Sequence, residues 1–304
     1  MDQPPLPDED SVSTFDDLPV VRADVSVPDE PLEAQVVEDP PFAPQGDPSI
    51  DVRGLVKRFG TKTAVDGVDL AVWPGEFFGF LGPNGAGKST TMKILSGLMR
   101  PTEGAVHVAG HDVLRDPVSV KAAIGVLPEE PVLYERLTGQ EMLWYAGRLY
   151  GLDGPTAEQR ADDLFRLMAL EEADQRRMIV DYSMGMRKKV GLACALLHRP
   201  RVLFLDEPFN GIDAVTSRAI YTVLRGAAAG GMTVFFTSHV LEVAESLCTR
   251  FAIIHEGAIH AVGTLAEVRA QAGAAPDTPL GELFADLVDP TTAARADDVL
   301  AWLG

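Results

Sequence analysis

Apolar and polar residues alternate from residue 50 to 57, where Ile50-Asp51-Val52-Arg53-Gly54-Leu55-Val56-Lys57 reads as a half-exposed strand. A turn at Gly60-Thr61 and a second strand from Val68 to Val72 follow, predicting an antiparallel sheet beside the core. Phe77-Phe78-Gly79-Phe80-Leu81 is apolar throughout and short enough for one fully buried strand, ending at Gly82. From Lys88 the pattern becomes helical, with an apolar face through Met92, Ile94 and Leu95. Residues 104–110 and 123–127 read as further strands.

Residues 138–173 have a helical pattern, with Met142, Leu143, Tyr145, Ala146 and Leu149 on one face and Leu164, Phe165, Leu167, Met168 and Leu170 on another. The turn residues 151–155 join them, so this is a helical insertion, and Trp144, Tyr145 and Tyr150 are expected to build its own small core. Strand and helix then alternate: helix 184–198, strand 201–205, helix 214–228, strand 233–236, helix 241–248, and strands 251–254 and 258–262. Such alternation implies parallel strands with crossover helices. Short helical pieces are expected at 264–271, 280–288 and 293–302.

The 304 residues are 46% hydrophobic, enough for a full core. The net charge of −19 argues against nucleic acid as a partner, because neutralising phosphates takes clustered Lys and Arg. The acids are concentrated in residues 1–48, where Arg22 is the only base and prolines are dense; this reads as a disordered tail. No run of apolar residues is long enough to span a membrane, and the acidic N-terminus is unlike a secretory signal. Cys194 and Cys248 stand in apolar helical surroundings, which suits buried thiols.

Between the buried strand and the helix at Lys88 lies Gly82-Pro83-Asn84-Gly85-Ala86-Gly87-Lys88-Ser89-Thr90, a G-x-x-x-x-G-K-S loop. Its glycines are expected to take positive φ and turn N–H groups toward phosphate oxygens at a helix N-terminus. Lys88 supplies a point charge for the phosphates and Ser89 a hydroxyl for magnesium. A second apolar strand delivers Asp206 and Glu207 at its C-terminal end, the edge where parallel sheets bind ligands. Asp206 fits a magnesium partner, direct or through another ligand, and Glu207 a base for an attacking water. His239 follows another buried strand and emerges at the same edge, within reach of a γ-phosphate. Phe59, at a strand end in a polar setting, is placed to stack on a base. Ser183 precedes a helix with Arg187, Lys188 and Lys189 in its first turn; these bases oppose the helix dipole, so an anion near Ser183 and Gly185 is expected.

From about residue 50 to 262 these motifs resemble the nucleotide-binding subunits of ABC transporters. Residues 82–90 match Walker A, residues 202–206 Walker B with Glu207 as catalytic glutamate, and Asn210-Gly211-Ile212-Asp213 the D-loop. His239 matches the switch histidine, Phe59 the adenine-stacking aromatic, and residues 182–186 the Leu-Ser-Gly-Gly-Gln signature. Two departures stand out: the signature keeps Ser183 and Gly185 but has Tyr182, Met184 and Met186, and Glu129 occupies the Q-loop position usually held by Gln.

The resemblance implies an α/β fold: a P-loop NTPase core with a mostly parallel sheet, an antiparallel β subdomain and a helical subdomain. It implies an ATPase domain over residues 49–265, the helical subdomain at about 130–185, and a C-terminal helical tail at 266–304. It also implies ATP and Mg2+ as cofactors, with Ser89, Asp206 and Glu129 toward the metal and Asp213 toward the nucleotide. A head-to-tail homodimer, or a heterodimer with another ABC ATPase, would close Ser183 and Gly185 of one subunit over ATP held by the other. A separate transmembrane permease at the cytoplasmic face of the cell membrane completes the expectation, with the variants pointing toward drug and antibiotic exporters. A soluble non-transport ABC ATPase and an ATP-sensing interaction protein are the alternatives.

Overall fold

A computed structural model describes residues 46–288. The strand pair at the start is β1 (Ile50–Phe59) and β2 (Lys62–Val72), the latter longer than its apolar end suggested. It extends because its N-terminal half pairs antiparallel with β1 as far as Phe59 opposite Lys62. With β4 (Glu103–Val108) and the short β5 (His111–Asp112) these strands form a four-stranded antiparallel sheet in the order β2-β1-β4-β5. The strand expected at 104–110 stops at Val108, where Ala109 and Gly110 both take positive φ and turn the chain into β5.

The second sheet runs β10-β9-β3-β8-β7-β6, from β3 (Phe77–Leu81), β6 (Ile124–Leu127), β7 (Val202–Asp206), β8 (Thr233–Ser238), β9 (Arg250–His255) and β10 (Ala258–Gly263). All its pairings are parallel except β9 with β10. Its inner strands read as continuous apolar runs because both faces are covered. Phe77 and Leu81 of β3, Leu203 and Leu205 of β7, and Val234 and Phe236 of β8 enter one core with the helices. Phe78, Phe80, Phe204 and Phe235 point the opposite way, into a second core shared with Val52, Val65 and Val106 of the antiparallel sheet. That two-sided burial seats the C-terminal ends of β3, β7 and β8 side by side.

The crossovers include α1 (Lys88–Leu95), α2 (Pro117–Ala123), α6 (Met184–Leu196), α7 (Ala214–Ala229) and α8 (Leu241–Leu247). The insertion consists of α3 (Gly139–Leu149), started by a Thr138–Glu141 capping box, α4 (Gly154–Leu167), capped by Asp153, and the short α5 (Glu172–Gln175). Leu143, Phe165 and Met168 are buried there, but Leu149 and Leu167 are exposed. Of the three aromatics expected to build its core, only Tyr145 packs against it, partly buried; Trp144 and Tyr150 do not. Trp144 is 55% exposed and Tyr150, also exposed, stacks on His198 with ring centroids 3.6 Å apart. The buried stripe of α3 is used by the smaller Met142, Leu143 and Ala146, which leaves Trp144 on the outer face.

Two further helices, α9 (Leu265–Ala272) and α10 (Leu280–Val288), follow the sheet; Leu280 of α10 is buried in the first core, and Leu283 is buried as well. The expected tail over residues 1–48 falls largely outside the described residues, and the helix expected at 293–302 lies wholly outside them. Among the described residues no helix is long and apolar enough to cross a membrane.

Candidate active site

Residues 82–87 connect β3 to α1, and their backbone explains where the glycines are needed. Gly87 has φ +109 and a Cβ there would stand 2.5 Å from the Ala64 carbonyl. Gly82, in contrast with the sequence expectation, does not have positive φ; its constraint is space, since a Cβ would lie 2.3 Å from the Ile254 carbonyl oxygen. The loop is thus wedged against β9 and held open toward the cleft. Lys88 is buried, and its Nζ donates to the carbonyl oxygen of Gly82 at 2.6 Å, which fixes the ammonium within the loop.

Facing the loop are the acids that end β7. The carboxylate of Asp206 accepts from Thr237 Oγ1 and, at 3.4 Å, from Ser89 Oγ. Pairing of Asp206 with Thr237 in the β7–β8 register makes the first contact unavoidable. Glu207 leaves the strand with φ +46, its N–H donating to Thr237, and so its side chain turns into the cleft. There Oε1 stands 3.0 Å from Nδ1 of His239 and 3.6 Å from Nζ of Lys88. A nearly buried carboxylate between an imidazole and an ammonium can take a proton from a water held in front of it.

Lys88, Glu207 and His239 line a cleft of about 430 Å³, with Phe59, Pro83, Asn84, Gly85, Ser89, Thr90 and Glu129 also on its walls. The ring of Phe59 is half exposed, with Lys57 Nζ 5.0 Å from its centroid. Glu129 accepts from the side-chain amide of Asn210 at 2.8 Å. Ser89, Asp206 and Glu129 offer a hydroxyl and two carboxylates, an all-oxygen set that fits a hard divalent cation.

Ser183, Gly185 and Asp213 do not line the cleft. Ser183 is an exposed N-cap accepting from the Met186 N–H, Gly185 is buried against Thr216, and Asp213 caps α7. The Thr216 N–H and hydroxyl hold the Asp213 carboxyl below its ordinary value. Tyr182 is absorbed into the helical core, with its hydroxyl donating to the Asp174 carbonyl at 2.6 Å.

Two of the three bases in the turn after Ser183 have partners within the chain. Arg187 pairs with Glu135 at 3.3 Å, and Lys188 is 1% exposed with its ammonium among backbone carbonyls. Sequence reasoning missed Lys188, Thr237 and the side chain of Asn210 as parts of the site. Thr237 had a signal, a polar residue at the end of a buried strand; the others did not.

The family model described as ABC transporter matches residues 65–210. The daunorubicin resistance ATP-binding protein DrrA3 of Streptomyces coeruleorubidus is 41% identical over 227 residues, 75% of this chain and 72% of that protein. The linearmycin resistance ATP-binding protein LnrL of Bacillus subtilis is 37% identical over 224 residues, 74% of this chain and 72% of that one. Among solved structures, an ATP-binding subunit of an ABC transporter superposes with a TM-score of 0.74 at 35% identity, covering 78% of this chain and 98% of its own. A dimeric post-hydrolysis ATP-binding cassette, MJ0796 with ADP and Pi, gives 0.66 at 25% identity, covering 71% and 98%. The motifs, the two-sheet fold and these similarities agree, and the chain belongs to the ATP-binding, ATP-hydrolysing subunits of ABC transporters.

Proposed function

We propose that this ATPase powers export of drug-like compounds through a separate membrane-spanning subunit, working as a pair of cassettes on the cytoplasmic face of the membrane. The observation that carries the chemistry is the position of Glu207, in one cleft with His239, Lys88 and Ser89, with Asp206 behind Ser89 at 3.4 Å. The adenine of ATP stacks on Phe59, and the loop N–H groups of residues 82–90 with Lys88 cradle its phosphates. Mg2+, when bound by Ser89, Asp206 and Glu129, neutralises charge on the phosphate oxygens. Glu207 accepts the proton of a water whose oxygen attacks the γ-phosphorus; the bond to the bridging oxygen breaks and ADP leaves with its electron pair. His239 steadies Glu207 and the γ-phosphate.

Ser183 and Gly185 stand away from their own chain's cleft, which suits their use by a second copy bound head to tail. Asp213 then lies at the turn between the two nucleotides. On the helical subdomain, about residues 130–185, exposed Val132, Tyr134 and Trp144 offer an apolar face for the membrane subunit. The drug-export reading rests on what the similar daunorubicin and linearmycin resistance proteins are named for.

ATP hydrolysis by the purified chain, measured against its own concentration, tests this. The rate per molecule should rise with concentration, and Glu207→Gln should lower it by about 10²–10⁴. Wild-type turnover in that variant would remove Glu207 as the base, and a rate independent of concentration would argue against composite sites between copies. Co-purification with a hydrophobic multi-span protein separates a transporter subunit from a soluble ATPase.

A further inference from the structure

Lys188 is buried on α6, and its ammonium spends its donors on one short turn. Nζ lies 2.8 Å from the carbonyl oxygen of Glu207, 2.7 Å from that of Asn210 and 3.3 Å from that of Pro208. Burying an ammonium is unfavourable, and an apolar side chain of similar length would fill the same space without that penalty. Packing therefore does not call for a lysine here. Desolvation pulls the Lys188 pKa down, while the charges of Glu129, Glu207 and Asp206 favour its protonated form. The same turn contains the positive φ of Glu207, a conformation unfavourable for a residue with a Cβ that persists only where its surroundings hold it.

We propose that Lys188 is a positioning residue for ATP hydrolysis: by clamping the carbonyls of Glu207, Pro208 and Asn210 it aims the Glu207 carboxylate at the reacting water. The inference rests on Glu207 being the base. One end of the clamped turn sets the carboxylate beside His239 and Lys88, and the other sets the Asn210 amide on Glu129. Because Lys188 belongs to the helix capped by Ser183, the clamp also makes that helix and the turn move together. Losing the clamp frees the geometry of the base, a fault that shows in turnover more than in binding.

The test measures kcat and KM for ATP in Lys188→Met, Lys188→Gln, Glu207→Gln and the Lys188→Met/Glu207→Gln double variant of the full chain. Lys188→Met removes the donors at similar length and should lower kcat about 10- to 100-fold with KM changed less than about twofold. Lys188→Gln keeps an amide donor and should recover part of the loss. With Glu207 already replaced, Lys188→Met should lower the residual rate by less than about twofold, since there is no base left to aim. An equal loss in both backgrounds, or a lower melting temperature with kcat intact, overturns the clamp's catalytic role while leaving Glu207 as the base. Undiminished turnover in Glu207→Gln alone instead removes the base assignment and the inference with it. If Lys188→Met does not fold, the comparison of Lys188→Gln in the two backgrounds decides by the same criterion.

Discussion

The side-chain amide of Asn210 donates to Oε1 of Glu129 across 2.8 Å, joining two loops 81 residues apart in the chain. Glutamine at position 129 would still accept that hydrogen bond, so Glu129→Gln changes the charge and little else. If the carboxylate helps to hold Mg2+, the concentration of Mg2+ giving half the maximal rate should rise about tenfold in this variant. The rate at saturating Mg2+ should stay near wild type. A magnesium titration of ATP hydrolysis reads both, and an unmoved midpoint would take Glu129 out of the metal site.

Phe59 is half exposed at the end of β1 and lines the cleft. Stacking on a base is worth about 1–3 kcal/mol. Phe59→Ala is expected to raise KM for ATP about 5- to 100-fold with kcat nearly unchanged, and Phe59→Tyr to retain the wild-type KM. Steady-state kinetics over a wide ATP range decides; a change confined to kcat would mean that Phe59 does not hold the base.

At Gly82 the difficulty for any side chain is the Ile254 carbonyl, not the backbone angle. Gly82→Ala forces the phosphate loop away from β9 and should destabilise the fold by about 1–3 kcal/mol, the range for overfilling a packed site. Urea unfolding with ATP binding as a second readout checks this. Unaltered stability together with unaltered affinity would show that the loop yields freely.

Burial pushes the Cys194 thiol up to about 12 and Cys248 well above its ordinary value. The thiol is the protonated form, so at pH 8 the thiolate fraction of Cys194 is only about 10⁻⁴ and increases tenfold with each pH unit toward that value. Both cysteines should resist iodoacetamide in the native protein at pH 8 and react readily in urea. Native labelling at the unfolded rate would contradict the upward shift of these partly buried thiols.

Much of the candidate site was legible because its parts are contiguous. A loop that wraps phosphates with its own N–H groups must carry its glycines, Lys88 and Ser89 within one short stretch, and a strand buried on both faces announces itself by an apolar run ending at Asp206 and Glu207. The positions of Phe59 and His239 followed from their places at strand ends. The insertion was also visible as helix, with the face of α3 through Met142, Leu143 and Ala146 read as apolar, yet the exposure of Trp144, Leu149 and Tyr150 was not, because only packing decides which apolar side chains beside that stripe are covered.

By itself, then, the amino-acid order determined the phosphate loop, the paired acids and the run of buried strands, since each depends on spacing within a single element. Tertiary structure alone decided that Thr237 meets Asp206, that Asn210 meets Glu129, and that Lys188 leaves the basic turn to enter the site from within. Those contacts depend on the register of β7 against β8 and on how α6 packs beside the turn after β7. Interactions between residues far apart in the chain are set by how whole elements pack, and no local pattern of side chains records them.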